Sequence, residues 1–355
     1  MKYYVAVDRK KRNTAGSKAP DDINELCRRN GMIRLEMPEF PSDRNRLYKK
    51  LWLIRTVPSC LRRICRRLQK GDVLLYQHPM YGYRVWGKYI PRMRKKGIKC
   101  IALIHDLESL RRGIAGLIND NRKTNAYADC ELLKKFDRVI CHNQRMKEYL
   151  ISQGFEDERL VVLEIFDYLA EDVKRERCDE RLSVAIAGNL IRSKCGYIYG
   201  IHGGEKKINA GLHVNLYGAN YDDKDADIMT EYHGSFPPEE LPRKLKGRFG
   251  LVWDGPSING CEGNTGEYLK YNNPHKASLY LSSGMPVIVW DKSALADFVI
   301  KNRIGLVVES LEELEKVLSE ISDEAYDTMC HNVREISVKI HSGFYFNKAF
   351  EAAER

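Results

Sequence analysis

The chain has 355 residues, 43% of them hydrophobic and 30% charged, a balance that excludes a disordered or fibrous protein and suits about two domains. No run of about 18 apolar residues exists, which excludes a helix that spans a bilayer. The net charge of +10 is unevenly spread: residues 1–150 carry 35 Lys and Arg against 15 Asp and Glu, whereas residues 151–355 carry 24 against 34.

A strand over Tyr3–Val7 begins almost at once, with no apolar leader or cleavage site before it, so the start is not expected to be a signal peptide. An amphipathic helix over Asp21–Asn30 ends at Gly31. Residues 43–70 interleave ten cations with Leu47, Leu51, Trp52, Ile54, Leu61 and Ile64, a pattern of either a solvated helix or a surface for anionic lipid. No known nucleic-acid signature accompanies the basic residues, so a nucleic-acid partner is not expected. Strands follow at Val73–Gln77, Cys100–Ile104, Arg138–Cys141 and Val161–Leu163, with helices at Tyr83–Lys96 and Gln144–Gln153 between them.

Residues 166–182 are charge-rich and read as a connection or a terminal helix. The rhythm then restarts with strands at Ser183–Ala187, Leu212–Tyr217, Phe249–Trp253, Pro286–Val289 and Gly305–Val308, and helices at Leu311–Ile321, Asp323–Ile340 and on to Arg355. Alternating strands and helices predict an α/β chain of two doubly wound units, 1–165 and 183–330, with 331–355 as a helix that packs back on the first. The ten cysteines form no CxxC pair and read as reduced thiols of a cytoplasmic protein, which also argues against a zinc ribbon.

In open parallel sheets, ligands bind beyond the carboxyl ends of strands, where turns and helix starts offer free N–H groups. Five stretches stand there. Thr14, Ala15, Gly16 and Lys18 follow the first strand, as a ligand loop or an ordinary one. His105, Asp106 and Glu108, with Arg111, follow the Cys100–Ile104 strand and suit proton abstraction, although Asp106 also suits a helix cap. Asn189, Arg192 and Lys194 open the second unit without a GxGxxG fingerprint, which argues against a dehydrogenase. Tyr217 with Gly218, and Gly234 with Ser235 and Phe236, pair aromatics with turn glycines. Last, Tyr271-Asn272-Asn273-Pro274-His275-Lys276 runs a polar loop into a helix whose first turn and lysine suit phosphate oxygens. The Asp222–Asp227 run reads as a solvated loop rather than a metal site, and no metal is expected.

Asn272–Leu281, Val289–Phe298, Ile104–Arg111, Gly250–Gly255 and Thr14–Ala19 together resemble the bacterial β-1,6-galactofuranosyltransferases of O-antigen assembly. A related branch holds glucosyltransferases that extend glycans on streptococcal adhesins. The resemblance implies a GT-B fold, two Rossmann-like domains facing each other across a cleft, with the donor in the second and the acceptor against the first. It implies inverting transfer from a UDP-sugar, with galactofuranose foremost, and no cofactor. Lys276, Arg192 and Lys194 would serve the leaving diphosphate, and Asp106, with His105 and Glu108 as rivals, would be the base. The paired glutamates of broader retaining GT-B enzymes are missing; Tyr271 and Leu279 stand there, so ribose recognition must differ. A lipid-linked acceptor would place the enzyme peripherally on the inner face of the membrane, and a homo-oligomer stays open.

Overall fold

The computed structural model describes every residue except 8–14, 113–128, 172, 174, 176–177, 204–207 and 226. The chain forms two compact units. The first comprises Met1–Arg12, Pro20–Leu163 and Phe346–Arg355, and the second Asn13–Ala19 and Glu164–Tyr345.

The first unit holds a parallel sheet of β1 (Lys2–Val7), β2 (Ile33–Met37), β3 (Val73–His78), β4 (Lys99–Ile104), β5 (Arg138–Cys141) and β6 (Leu160–Val162), ordered β2-β1-β3-β4-β5-β6. Its inner strands are unbroken apolar runs because helices cover both faces. Strand β2 escaped the sequence reading: Arg34 and Glu36 alternate with buried Leu35 and Met37, a half-polar pattern suited to a sheet edge. The unit's longer described helices include α1 (Ala15–Arg29), α2 (Arg46–Arg67), α3 (Tyr83–Lys95) and α4 (Gln144–Ser152). Asn143 caps α4, its side chain accepting from the Met146 N–H, and Gly154 closes it at φ +85°.

The second unit repeats the plan with β7 (Ser183–Ala187), β8 (His213–Tyr217), β9 (Thr230–Tyr232), β10 (Phe249–Val252), β11 (Val287–Trp290) and β12 (Gly305–Val308). Their order, β12-β11-β10-β7-β8-β9, is the Rossmann order read from the far edge. The chain therefore reverses direction across the sheet between β7 and β10, which pair through Val184–Phe249 and Ala185–Gly250. This unit's longer described helices include α5 (His275–Ser282), α6 (Ala296–Asn302), α7 (Leu314–Glu320) and α8 (Asp323–Ser342).

The second unit is wider than residues 183–330. Described residues of 166–182 form no helix or strand, yet Phe166, Asp167 and Tyr168 are buried, and the Arg175 guanidinium donates to the carbonyls of Leu245 and Gly247 at 3.2 and 2.6 Å. The expected single helix over 331–355 is two. Helix α8 starts at the Ser322 cap and stops at Gly343, φ +77°, and α9 (Phe344–Glu354) follows. From Phe346 onward the chain belongs to the first unit, where Glu354 meets Lys2 at 2.6 Å and Asn347 accepts from Asn30.

Candidate functional site

At the carboxyl edge of the second sheet, three loops are laced together by backbone hydrogen bonds. The Gly188 N–H donates to the Tyr217 carbonyl at 2.9 Å, Leu190 to Ala219 at 2.9 Å, and Gly218 to Gly234 at 2.8 Å. Gly218 sits at φ +142°, and a Cβ there would stand 1.7 Å from the Gly188 carbonyl oxygen, so the position requires glycine. Helix α5 is anchored to the same edge. The Ala187 N–H donates to the Tyr280 hydroxyl at 2.7 Å, and the Tyr280 ring lies where a side chain on Gly250 would otherwise be.

These anchors set the first turn of α5 beside the end of β10. The Lys276 Nζ donates to the Trp253 carbonyl and to Asp254 Oδ1, both at 2.7 Å, and Lys194 reaches Asp254 Oδ2 at 3.8 Å. Burial alone would lower the Lys276 pKa, but the Asp254 carboxylate outweighs it, and the ammonium is held above the ordinary lysine range. One carboxylate thus balances two ammonium groups at the point where the strand order reverses. Such an arrangement leaves one net positive charge beside a helix N-terminus, a setting for a diphosphate.

The other predicted residues of this loop divide. Asn272 is buried, and its Oδ1 has no hydrogen-bond partner among the described residues. Asn273 donates to the Glu164 carbonyl and ties the loop to its own unit. Burial, and then the charge of Lys18, pulls the His275 imidazole down to about 3, so it is neutral at physiological pH. Its ring lies 5.1 Å from that of Tyr168. Tyr271 is half-buried.

Packing engages several of the remaining predicted residues. Lys18 is no open cation: it is buried, donates to the Leu169 carbonyl at 2.5 Å and sits 4.8 Å above the Tyr168 ring. Tyr217 is buried and stacked on His233 at 4.6 Å, with its hydroxyl accepting from the Lys246 N–H, so it braces the loop. Arg192 is exposed and lies 4.3 Å over the Tyr199 ring. Asn189 Oδ1 accepts from Ile191 N–H and from Asn220 Nδ2. Ser235 is exposed and Phe236 half-buried, 6.3 Å from Tyr217. Ala15 and Gly16 open α1, and Thr14 lies outside the described residues.

Sequence reasoning passed over Asp254 and Tyr280 as site residues. An acid directly after a buried strand was the available signal for Asp254; Tyr280, inside the helix that follows Lys276, carried no such signal. In the Asp222–Asp227 run, Asp223–Asp225 form a single 3-10 turn, Asp222, Asp223 and Asp227 are exposed, and Asp222 and Asp227 accept from nearby backbone N–H groups. Among the described residues, no three His, Cys, Asp or Glu side chains gather as a metal site.

In the first unit, His105, Asp106 and Glu108 follow β4. Gln77 Nε2 donates to Asn24 Oδ1 at 2.9 Å, which turns Gln77 Oε1 toward His105 Nε2 at 2.8 Å and makes Nε2 the protonated nitrogen. Asp106 pairs with Arg111 at 3.2 Å, and Glu108 pairs with Arg111 and Arg112 at 2.8 and 2.7 Å. Nearby, His142 is buried with Nε2 3.1 Å from the Ile104 carbonyl, and burial pulls it down to about 4.

The sequence matches the family described as Glucosyltransferase 3-like, through its N-terminal domain over residues 2–165 and its C-terminal domain over residues 184–353. It is 38% identical to the beta-1,6-galactofuranosyltransferase WbbI of Escherichia coli K12 over 292 residues, 80% of this chain and 79% of that one. To Glucosyltransferase 3 of Streptococcus gordonii it is 25% identical over 287 residues, 78% of each chain. Among solved structures, the fold is similar to the E. coli trehalose-6-phosphate structure bound with UDP-2-fluoro glucose. That match has a TM-score of 0.65 at 8% identity and covers 100% of this chain and 99% of the other.

Proposed function

The chain belongs to the glucosyltransferase 3-like family and is a glycosyltransferase of the GT-B fold, and from that premise we propose that it moves galactofuranose from UDP-galactofuranose to a lipid-linked glycan acceptor. The higher identity to the galactofuranosyltransferase than to the glucosyltransferase supports the choice of sugar. The observation that carries the reading is the pairing of Lys276 and Lys194 on Asp254 where the strand order reverses.

In this reading the acceptor hydroxyl attacks the donor's anomeric carbon while its bond to the diphosphate oxygen breaks, and the configuration there inverts. The hydroxyl proton passes to a base and UDP leaves with the electron pair. Lys276 and Lys194, with Arg192 swung from Tyr199, take up the charge that grows on the diphosphate, an electrostatic stabilisation made before the reaction starts. Asp254 would give up part of its hold on Lys276 as the anion arrives. Asp106 is the preferred base, since it shares one arginine and is more open than Glu108, which is clamped by two. No cofactor enters, and fixed cations meet the charge. The reading keeps the enzyme at an anionic membrane face, where a lipid-linked acceptor resides, and gives it no nucleic-acid partner.

A panel of UDP-galactofuranose, UDP-glucose and UDP-galactose with simple alkyl glycosides as acceptors tests this. Transfer is expected from UDP-galactofuranose, with inverted configuration by proton NMR, and Asp106→Asn should abolish it while UDP affinity stays. Preference for UDP-glucose would replace galactofuranose by glucose, and near-normal turnover of Asp106→Asn would remove it as the base.

A further inference from the structure

Helix α2 carries eight Lys and Arg and no acid in its 22 residues. Its two halves meet different surroundings. In the second half Val57, Leu61 and Ile64 are buried and hold the helix to its unit. In the first half Leu47, Leu51 and Ile54 are 68%, 44% and 58% exposed. Their spacing of four and three residues puts them on one line along the helix. Trp52, from another side, fastens the same half to the unit: its ring lies 5.7 Å from Phe40 and 5.3 Å from Tyr81. The outward ridge is therefore presented by a braced helix and does not hang from a loose end. Arg44, Arg46, Lys50 and Arg55 are all exposed around it.

An aliphatic ridge inside a ring of cations, with no acid on the helix, complements a surface that is negative outside and apolar beneath. A nucleic acid would use the cations but offers nothing to leucine and isoleucine, because bases stack on aromatic faces. We infer that the first half of α2 is an interfacial anchor: Leu47, Leu51 and Ile54 enter the acyl boundary of an anionic lipid surface while the flanking cations meet its headgroups. This deepens, and rests on, the lipid-linked acceptor reading above by naming the part of the first unit that touches the membrane and by making the contact hydrophobic as well as electrostatic.

The full chain is mixed with vesicles of phosphatidylcholine, with and without phosphatidylglycerol, and floated at about 0.15 M and about 1 M salt, where screening lengths are about 8 and 3 Å. The protein is expected on the anionic vesicles, with part of the binding retained at high salt. Leu47→Ser/Leu51→Ser/Ile54→Ser should weaken it at least about tenfold at both salt levels. Those side chains are exposed, so the variant should melt like the parent and transfer sugar to a soluble glycoside unchanged. Ile54→Trp should show blue-shifted emission when anionic vesicles are added.

Equal binding by the serine variant, or binding wholly lost in salt and displaced by RNA, makes the face a plain cationic patch and overturns the inference. Parent protein that transfers sugar to a soluble acceptor yet ignores anionic vesicles overturns the anchor alone. Protein that binds through the ridge but transfers from no nucleotide sugar keeps the anchor and overturns the transferase reading.

Discussion

Lys276 illustrates how the state of a residue is set by the groups packed around it. Its ammonium is committed to Asp254 and the Trp253 carbonyl, so an incoming diphosphate must compete with a carboxylate already there. Lys276→Met removes a cation from the site and leaves the almost buried Asp254 with Lys194, at 3.8 Å, as its remaining cation among the described residues. Loss of one partner of a buried pair costs about 3–5 kcal/mol, whereas replacing both is far cheaper. Lys276→Met should therefore unfold at markedly lower denaturant and bind UDP weakly. Lys276→Met with Asp254→Asn should regain much of the stability but not the UDP affinity, as read by urea titration and calorimetry. Recovery of affinity in the double variant would mean that Lys276 does not serve the diphosphate.

At the level of elements, the site is made by strand ends and the turns that follow them. Three loops share backbone hydrogen bonds through Gly188, Gly218 and Gly234, and their closeness leaves no room for a side chain at Gly218. Gly218→Ala puts a methyl group into the Gly188 carbonyl and strains a backbone at φ +142°. It should cost about 3 kcal/mol or more and reduce UDP binding in the folded fraction, measured by urea unfolding and by titration with UDP. A variant as stable as the parent would show that the loops can part at little cost. By contrast, the bracing of α5 by Tyr280 uses the missing side chain of Gly250, so that glycine serves packing and not conformation.

For the whole molecule, acid stability follows from buried histidines. His142 has its pKa pulled to about 4 by burial, against an ordinary value near 6.5. The unfolded chain therefore binds a proton that the folded chain refuses between about pH 6.5 and pH 4. Stability then falls as pH falls through that window, by about 1.4 kcal/mol per pH unit for one such group. His275, pulled to about 3 in the second unit, acts with the same sign. His142→Gln keeps an N–H for the Ile104 carbonyl without titrating, and its stability between pH 6.5 and 4 should slope less than the parent's in urea titrations. An unchanged slope would mean that His142 takes up its proton in the folded state.

What the sequence determined by itself is local: apolar runs such as Val73–Gln77 and Ser183–Ala187, glycine stops at Gly31 and Gly154, and the helix start at Pro274-His275-Lys276. Each depends on neighbours within a few residues, where periodicity and turn chemistry act. The restart of the strand–helix rhythm at Ser183 already implied two units, and the family likeness added that they form a GT-B fold. Only the tertiary structure decided which charges meet. Asp254 and Lys276 stand 22 residues apart, and Lys194 still further away. The order of strands brings them together, and that order is absent from any local pattern. For the same reason Lys18 and Tyr217, both apt for a ligand by type and position, are occupied by packing. Leu47, Leu51 and Ile54, apolar enough for a core, face outward because the buried contacts of α2 are taken up by other residues of the helix.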